Sequence, residues 1–222
     1  MHRMWNRAFF ALGATVLPMI LNYLIKRRHK FKLKKLRDEK WDQDSSYYHC
    51  IFFTMKNVMC SSHFNTHTAC EDNCSVTHLN TLLRFLGSAK YSISLCMYMV
   101  TLKQVTDELI KAEDRGVKVR IITDHVMYKM ERSKTKLLKE RYGFEVRTPP
   151  YQDSLMHHKY CLVDAEDPNL QKMFLGSLNL TVQGCLKNFE FVCITNNSTM
   201  IKRYNEEFES LWTTFENSDI FL

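Results

Sequence analysis

No stretch of this 222-residue chain repeats another, and glycine (6) and proline (4) are few. The first absence means that any chemical signature occurs once per chain. The second excludes a low-complexity protein dominated by linkers. An acidic balance is also missing: 24 Asp and Glu stand against 31 Lys and Arg, for a net charge of +7 and a pI near 8.9. A basic balance suits a polyanionic partner, either nucleic acid or an acidic membrane surface. Much of the excess is local, however, because KRRHKFKLKKLR from Lys26 to Arg37 holds eight Lys or Arg, and the remainder is close to neutral. Apolar residues are plentiful: 45% hydrophobic and 12% aromatic content supports a real core and argues against global disorder. The length fits one globular domain with a short appendage.

The eight cysteines are not laid out as a disulfide scaffold. Cys96, Cys161 and Cys193 lie inside apolar, strand-like runs, where cysteine behaves as a small buried hydrophobe. Cys60, Cys70 and Cys74 are interspersed with His63 and His67, which favours a metal over disulfides and a reducing compartment.

Residues 8–25 (AFFALGATVLPMILNYLI) form an uncharged, mostly apolar run just long enough to cross a bilayer. A cleaved signal peptide would have a shorter apolar core and a small-x-small cleavage site. The run ends instead in a dense basic block, which predicts an anchor with the C-terminal body on the cytosolic side. The expected organisation is a tail at 1–7, a transmembrane anchor at 8–25, a basic juxtamembrane linker at 26–46 and a folded domain at 47–222. Basic residues on both sides of the span suit a mitochondrial outer-membrane signal anchor; an endoplasmic reticulum anchor would look much the same.

Beyond the linker, strand and helix patterns alternate. Strands are predicted at 50–55, 91–100, 117–123, 144–147, 159–163, 173–175 and 189–194. Helices are predicted at 76–86, 103–115, 126–142 (with Gly143 as its stop) and 199–215. Such alternation with short connections predicts an α/β fold, a central mixed β-sheet flanked by helices.

The motif that carries chemistry is His157-His158-Lys159 with Asp164, read as H-x-K-x4-D, followed by Gly176-Ser177-Leu178-Asn179 and by Glu190. A phosphodiester repels nucleophiles, so its site must neutralise the non-bridging oxygens, supply a nucleophile and protonate the leaving oxygen. Strand alternation puts His157 and Lys159 on one face. His157 attacks phosphorus when neutral and donates a proton when charged; Lys159 is the cation for the phosphoryl oxygens. Asn179 donates amide hydrogens, Gly176 lets the backbone approach, and Ser177 donates to phosphate or to the turn. Glu190 holds a histidine through its Nδ1–H. Asp164 completes the candidate catalytic set but ends the strand and reads as a structural acceptor. In-line displacement needs a nucleophile and an acid on opposite sides of phosphorus, and one histidine cannot be both. A symmetric homodimer with one shared site is therefore expected.

With MHHKYCLVD, LGSLNLT, an N-terminal anchor, a basic juxtamembrane segment and a Cys/His insertion at 60–74, the chain resembles the Zucchini/mitochondrial phospholipase D family, whose members carry a single HKD motif. The resemblance implies a phospholipase D-like half-domain, a homodimer on the mitochondrial outer membrane and a phosphohistidine intermediate on His157 without a catalytic metal. It implies an endoribonuclease that cuts single-stranded RNA in PIWI-interacting RNA biogenesis, or a hydrolase that converts cardiolipin to phosphatidic acid. It also implies a structural zinc, with Cys60, Cys70 and Cys74 as thiolates and His67 as the fourth ligand, His63 being the alternate.

The motif does not separate RNA from lipid, since both present a phosphodiester. A nuclease needs a basic groove with stacking aromatics, for which Lys129, Lys134, Lys136, Lys139, Arg141, Tyr128 and Tyr151 are candidates. Leu155 and Met156 offer apolar contact beside the motif. The family resemblance places RNA first and cardiolipin second. A third reading, a non-enzymatic mitochondrial scaffold, fits poorly with an intact His157, Lys159, Asn179 and Glu190.

Overall fold

The computed structural model describes residues 20–29, 47–54, 60–150 and 155–216. The chain divides into two compact units, Met1–Ser45 and Ser46–Leu222. In the first, residues 20–29 are helical. The rest of the expected anchor, residues 8–19, and of the linker, residues 30–46, lies outside the described residues. Among the described residues no helix is long and apolar enough to cross a membrane.

The second unit is built on a seven-stranded sheet of β1 (Tyr48–Phe53), β2 (Ser92–Met97), β3 (Lys118–Ile122), β4 (Glu145–Arg147), β5 (Lys159–Val163), β6 (Lys172–Gly176) and β7 (Glu190–Thr195). Its spatial order is β1-β7-β6-β5-β2-β3-β4. The β2, β3 and β4 strands run parallel, and the remaining pairs are antiparallel. The sheet is therefore mixed, as the sequence pattern predicts. In chain order the helices are α1 (Ser61–Thr66), α2 (Ser75–Gly87), α3 (Lys103–Asp114), α4 (His125–Lys129), α5 (Lys134–Tyr142), α6 (Val182–Leu186) and α7 (Ser198–Thr214).

Helical spacing of Leu79, Leu82 and Leu86 on α2, and of Val105, Leu109 and Ala112 on α3, gives each helix an apolar stripe. The stripes bury with Ile93, Leu95, Cys161 and Val163 in one core on one face of the sheet. The opposite face carries a second core, in which Ile201, Phe208 and Trp212 of α7 cover Cys96, Tyr160, Leu162 and Met173. Each leucine-sized side chain so buried contributes on the order of 1.5–3 kcal/mol. Burial on both faces explains why β2 and β5 read as near-continuous apolar runs rather than alternating ones.

The single helix expected at 126–142 is two. Ser133 interrupts it by capping α5, its Oγ accepting from the Lys136 N–H at 3.3 Å. Gly143 is the stop, as expected: it sits at φ 74° in the left-handed region that suits glycine. Two short helices, α1 and α6, escape sequence reading because neither is long enough to show a period.

Candidate active site

The strand registers gather His157, Lys159, Ser177, Asn179 and Glu190 at one end of the adjacent strands β2, β5, β6 and β7. Pairing of Met97 with Lys159 sets the end of β2 beside the start of β5, and Gly176 with Val192 sets the end of β6 beside the start of β7. His157 and Lys159 therefore meet Ser177, Asn179 and Glu190 although up to 33 residues separate them. Tyr98, just past β2, lies between the first two. Its ring makes an edge contact with His157 at 4.8 Å between centroids, and the Lys159 ammonium sits 5.2 Å from its centre. Lys159 Nζ also donates to the His157 carbonyl at 2.8 Å. Burial lowers the Lys159 pKa while the Glu190 charge raises it, and burial prevails.

Among the described residues Glu190 has no histidine partner. Its carboxylate accepts from the Ser177 hydroxyl and, at 2.9 Å, from the Asn188 side-chain amide. Ser177 is committed to the turn as well, since its Oγ accepts from the Phe191 N–H at 3.1 Å. Gly176 serves the sheet: a Cβ there would lie 2.0 Å from the Phe191 carbonyl oxygen. The Asn179 side-chain oxygen is buried with no hydrogen-bond partner. Exchange of the near-isosteric amide oxygen and nitrogen puts an unpaired N–H donor at the same point.

Asp164 is placed away from the site, past the far end of β5, and is the structural acceptor its position suggests. Buried and at φ 51°, it accepts from the backbone N–H groups of Lys90, Tyr91 and Ser92 at 2.9, 2.7 and 2.9 Å. A second buried aspartate, Asp124, goes unnoticed in the sequence. One of its oxygens caps α4 through Val126 and Met127, and the other accepts from the Met156 N–H at 3.2 Å. It thereby fixes the backbone next to His157. The signal was a polar residue between an apolar strand and a helix, but its partner lies 32 residues away.

Of the expected groove residues, Lys139 and Arg141 are exposed on α5, whereas Lys136 pairs with Glu140 at 3.8 Å. Lys129 is exposed at the end of α4, and Lys134 is partly buried. Tyr128 packs against the first core rather than presenting a free stacking face. Tyr151 lies outside the described residues. The Lys134 N–H donates to the Val100 carbonyl at 3.0 Å, which ties the start of α5 to the site end of the sheet.

The Cys/His segment brings Cys60, His63, Cys70 and Cys74 together, their donor atoms all within 4.8 Å of one another. His67, the fourth ligand that the resemblance implies, is not in the group; His63, the alternate, is. The reason is α1, which carries His63 toward the thiols and ends at His67 in a left-handed cap with φ 57°. Cys60 and Cys70 sulfurs are 3.9 Å apart, close to the ~3.8 Å edge of a tetrahedron with ~2.3 Å zinc–sulfur bonds. The His63 Nδ1 is buried with no hydrogen-bond partner, as a ligand atom would be. The four residues fit a closed tetrahedral zinc.

The model of the family described as "Cardiolipin synthase, PLD-like domain" matches residues 82–212, from α2 through α7. The "Mitochondrial cardiolipin hydrolase" of Mus musculus is 34% identical over 148 residues, covering 64% of this chain and 63% of that protein. The chain thus spans less than two thirds of that relative. The Xenopus tropicalis protein of the same name is 31% identical, covering 65% of this chain and 67% of the relative. Among solved structures, the phospholipase D family member Nuc from Salmonella typhimurium superposes with a TM-score of 0.58 at 20% identity, over 77% of this chain and 96% of that one. NucT from Helicobacter pylori does so with a TM-score of 0.56 at 18% identity, over 76% and 98%. At those identities the two structures show the shared fold. With the family model spanning more than half of its length, and the mixed sheet that gathers His157 and Lys159 beside Asn179 and Glu190, the chain belongs to the phospholipase D-like family of the cardiolipin synthase type.

Proposed function

We propose that the chain is a phospholipid phosphodiesterase of phospholipase D type that acts on cardiolipin or a closely related diester. The gathering of His157, Lys159, Asn179 and Glu190 at one end of adjacent strands carries the phosphodiesterase reading. The relatives' printed names favour a phospholipid over RNA and so reverse the order drawn from the sequence. By the same names, the protein acts at mitochondria; the apolar run at 8–25 and the basic block after it would anchor it in the outer membrane with the catalytic domain in the cytosol.

Two copies of the chain complete one site. Nε2 of one His157 forms a bond to phosphorus, and the bond from phosphorus to the leaving alcohol breaks. The alcohol oxygen takes its proton from the partner subunit's His157, which enters as imidazolium. Water then attacks the phosphohistidine and gives a proton to that second imidazole, and phosphatidic acid leaves. Lys159 and the Asn179 amide face the non-bridging oxygens, where charge builds in the transition state. Glu190 fixes Ser177 and the turn that carries Asn179. Cys60, His63, Cys70 and Cys74 would hold a structural zinc, which supplies a cross-link between α1 and the start of α2.

Offering the full chain cardiolipin vesicles, beside a His157→Asn variant, tests this reading. Phosphatidic acid released only by the native chain is expected, with an alkali-stable, acid-labile phosphoenzyme trapped on quenching. A single-strand endoribonuclease is the second reading, favoured by the exposed Lys139 and Arg141 on a helix tied to the site end of the sheet. Cleaved RNA with intact cardiolipin in the same preparation would establish it in place of the first.

A further inference from the structure

Beside His157 the fold leaves a cavity of about 450 Å³, within the ~300–1,000 Å³ typical of ligand sites. Pro149, Pro150, Leu155 and Met156 form one wall, and Leu211 and Phe215 at the end of α7 form the other. Met156 and Phe215 are core residues at 4% and 8% exposure, so the floor is firm, whereas Leu155 stands 64% exposed at the rim. Thr214 and the two histidines of the motif supply the polar atoms of the lining.

We propose that this cavity is the subsite for an acyl chain of the phospholipid whose phosphodiester is held at His157; the inference rests on the phospholipid reading above. His157 belongs both to the cavity wall and to the contact with Tyr98. A diester seated on that imidazole therefore has its nearest ester carbons at the cavity mouth. Aliphatic walls suit a hydrocarbon chain, which asks for no hydrogen bonds. A nucleobase would leave its edge groups unpaired against prolines and leucines, a costly arrangement. The proline rings and the anchored Met156 backbone also keep the walls from collapsing when the chain leaves. Leu155, exposed two residues before His157, serves as the lip of the acyl slot.

The full chain is assayed on monomeric phosphatidylglycerols of increasing acyl length and on bis(p-nitrophenyl) phosphate, a soluble diester without acyl chains. Leu155→Glu and Thr214→Trp are compared with the native chain; both positions are exposed, so the fold is retained. For the native chain kcat/KM should rise up to roughly fourfold per methylene that enters the cavity, then level off. Each variant should lower the selectivity for the longest lipid over the soluble diester roughly tenfold and flatten the dependence on length. Lipid turnover whose length dependence is the same in native and variant chains sinks the subsite and leaves the phospholipid reading standing. A native chain that cleaves RNA but no phosphatidylglycerol overturns both. Variants that lose RNA cleavage in step with lipid cleavage would reassign the cavity to a base.

Discussion

Half-buried Lys159 and buried Asp124 show two ways in which one residue sets the chemistry at His157. Lys159 supplies charge. Its folded pKa is depressed by burial, only partly offset by Glu190. Below that lowered value the ammonium is charged in both the folded and the unfolded chain. As pH rises toward the ordinary ~10.4, the unfolded chain keeps the proton longer, so folding gains stability across that window. Activity moves the opposite way, because the cation facing phosphate disappears. Beyond the alkaline limb set by loss of the imidazolium acid, a second fall in rate should appear below the usual lysine range, and Lys159→Arg should move it upward; a second fall unmoved by that change would assign it elsewhere. Asp124 supplies position. Asp124→Ala frees the Met156 N–H and should lower kcat about tenfold with little change in KM on a soluble diester. Asp124→Asn, which keeps an oxygen acceptor, should restore most of it. The shared location of His157, Lys159 and Asn179 was legible in the sequence because each is set by spacing along a strand or its turn. Asp124 and Tyr98 were not, because their bonds to the motif are made across other strands.

At the scale of elements, α1 decided what spacing left open. C-x6-H-x2-C-x3-C counts residues, but a helical turn between Cys60 and His67 changes which imidazole reaches the thiols. Periodicity needs more than six residues to be seen, so the helix and the ligand choice were missed together. Cys74 is both a donor and the N-cap of α2, so metal bound there ties the insertion to the first core. Cys74→Ser should take zinc content from about one per chain to near zero by atomic absorption. It should also lower Tm on the order of 10 °C, matching loss of roughly 3–4 kcal/mol in a domain of this size. His63→Ala should do the same, while His67→Ala should leave the zinc content unchanged. The split of 126–142 into α4 and α5 has a similar cause: Asp124 and Ser133 are caps, and caps are read only once the partner N–H is known.

For the whole molecule, the motif's single occurrence is the fact with the widest reach. If two copies share one reaction centre, a dimer that pairs a native chain with a His157→Asn chain has lost either nucleophile or acid. Activity after subunit exchange should then fall with the square of the native fraction. Independent sites would instead give a straight line, which titrating the variant into a fixed amount of native protein distinguishes. The mixed sheet was legible as a class from alternating strands and helices, and its order was not, since the β1–β7 pairing leaves no mark in local sequence.

That pairing joins the first strand of the sheet to the last, Tyr48 opposite Thr195 and Phe53 opposite Glu190. The segment YHCIFF leaves the ribosome about 140 residues before its partner does. At ~5–20 residues per second it waits on the order of ten seconds with its backbone unpaired and its aromatic side chains uncovered. Nascent chains of this protein are thus most open to aggregation at their beginning, and a chaperone that holds that segment until residue 195 emerges would raise the yield.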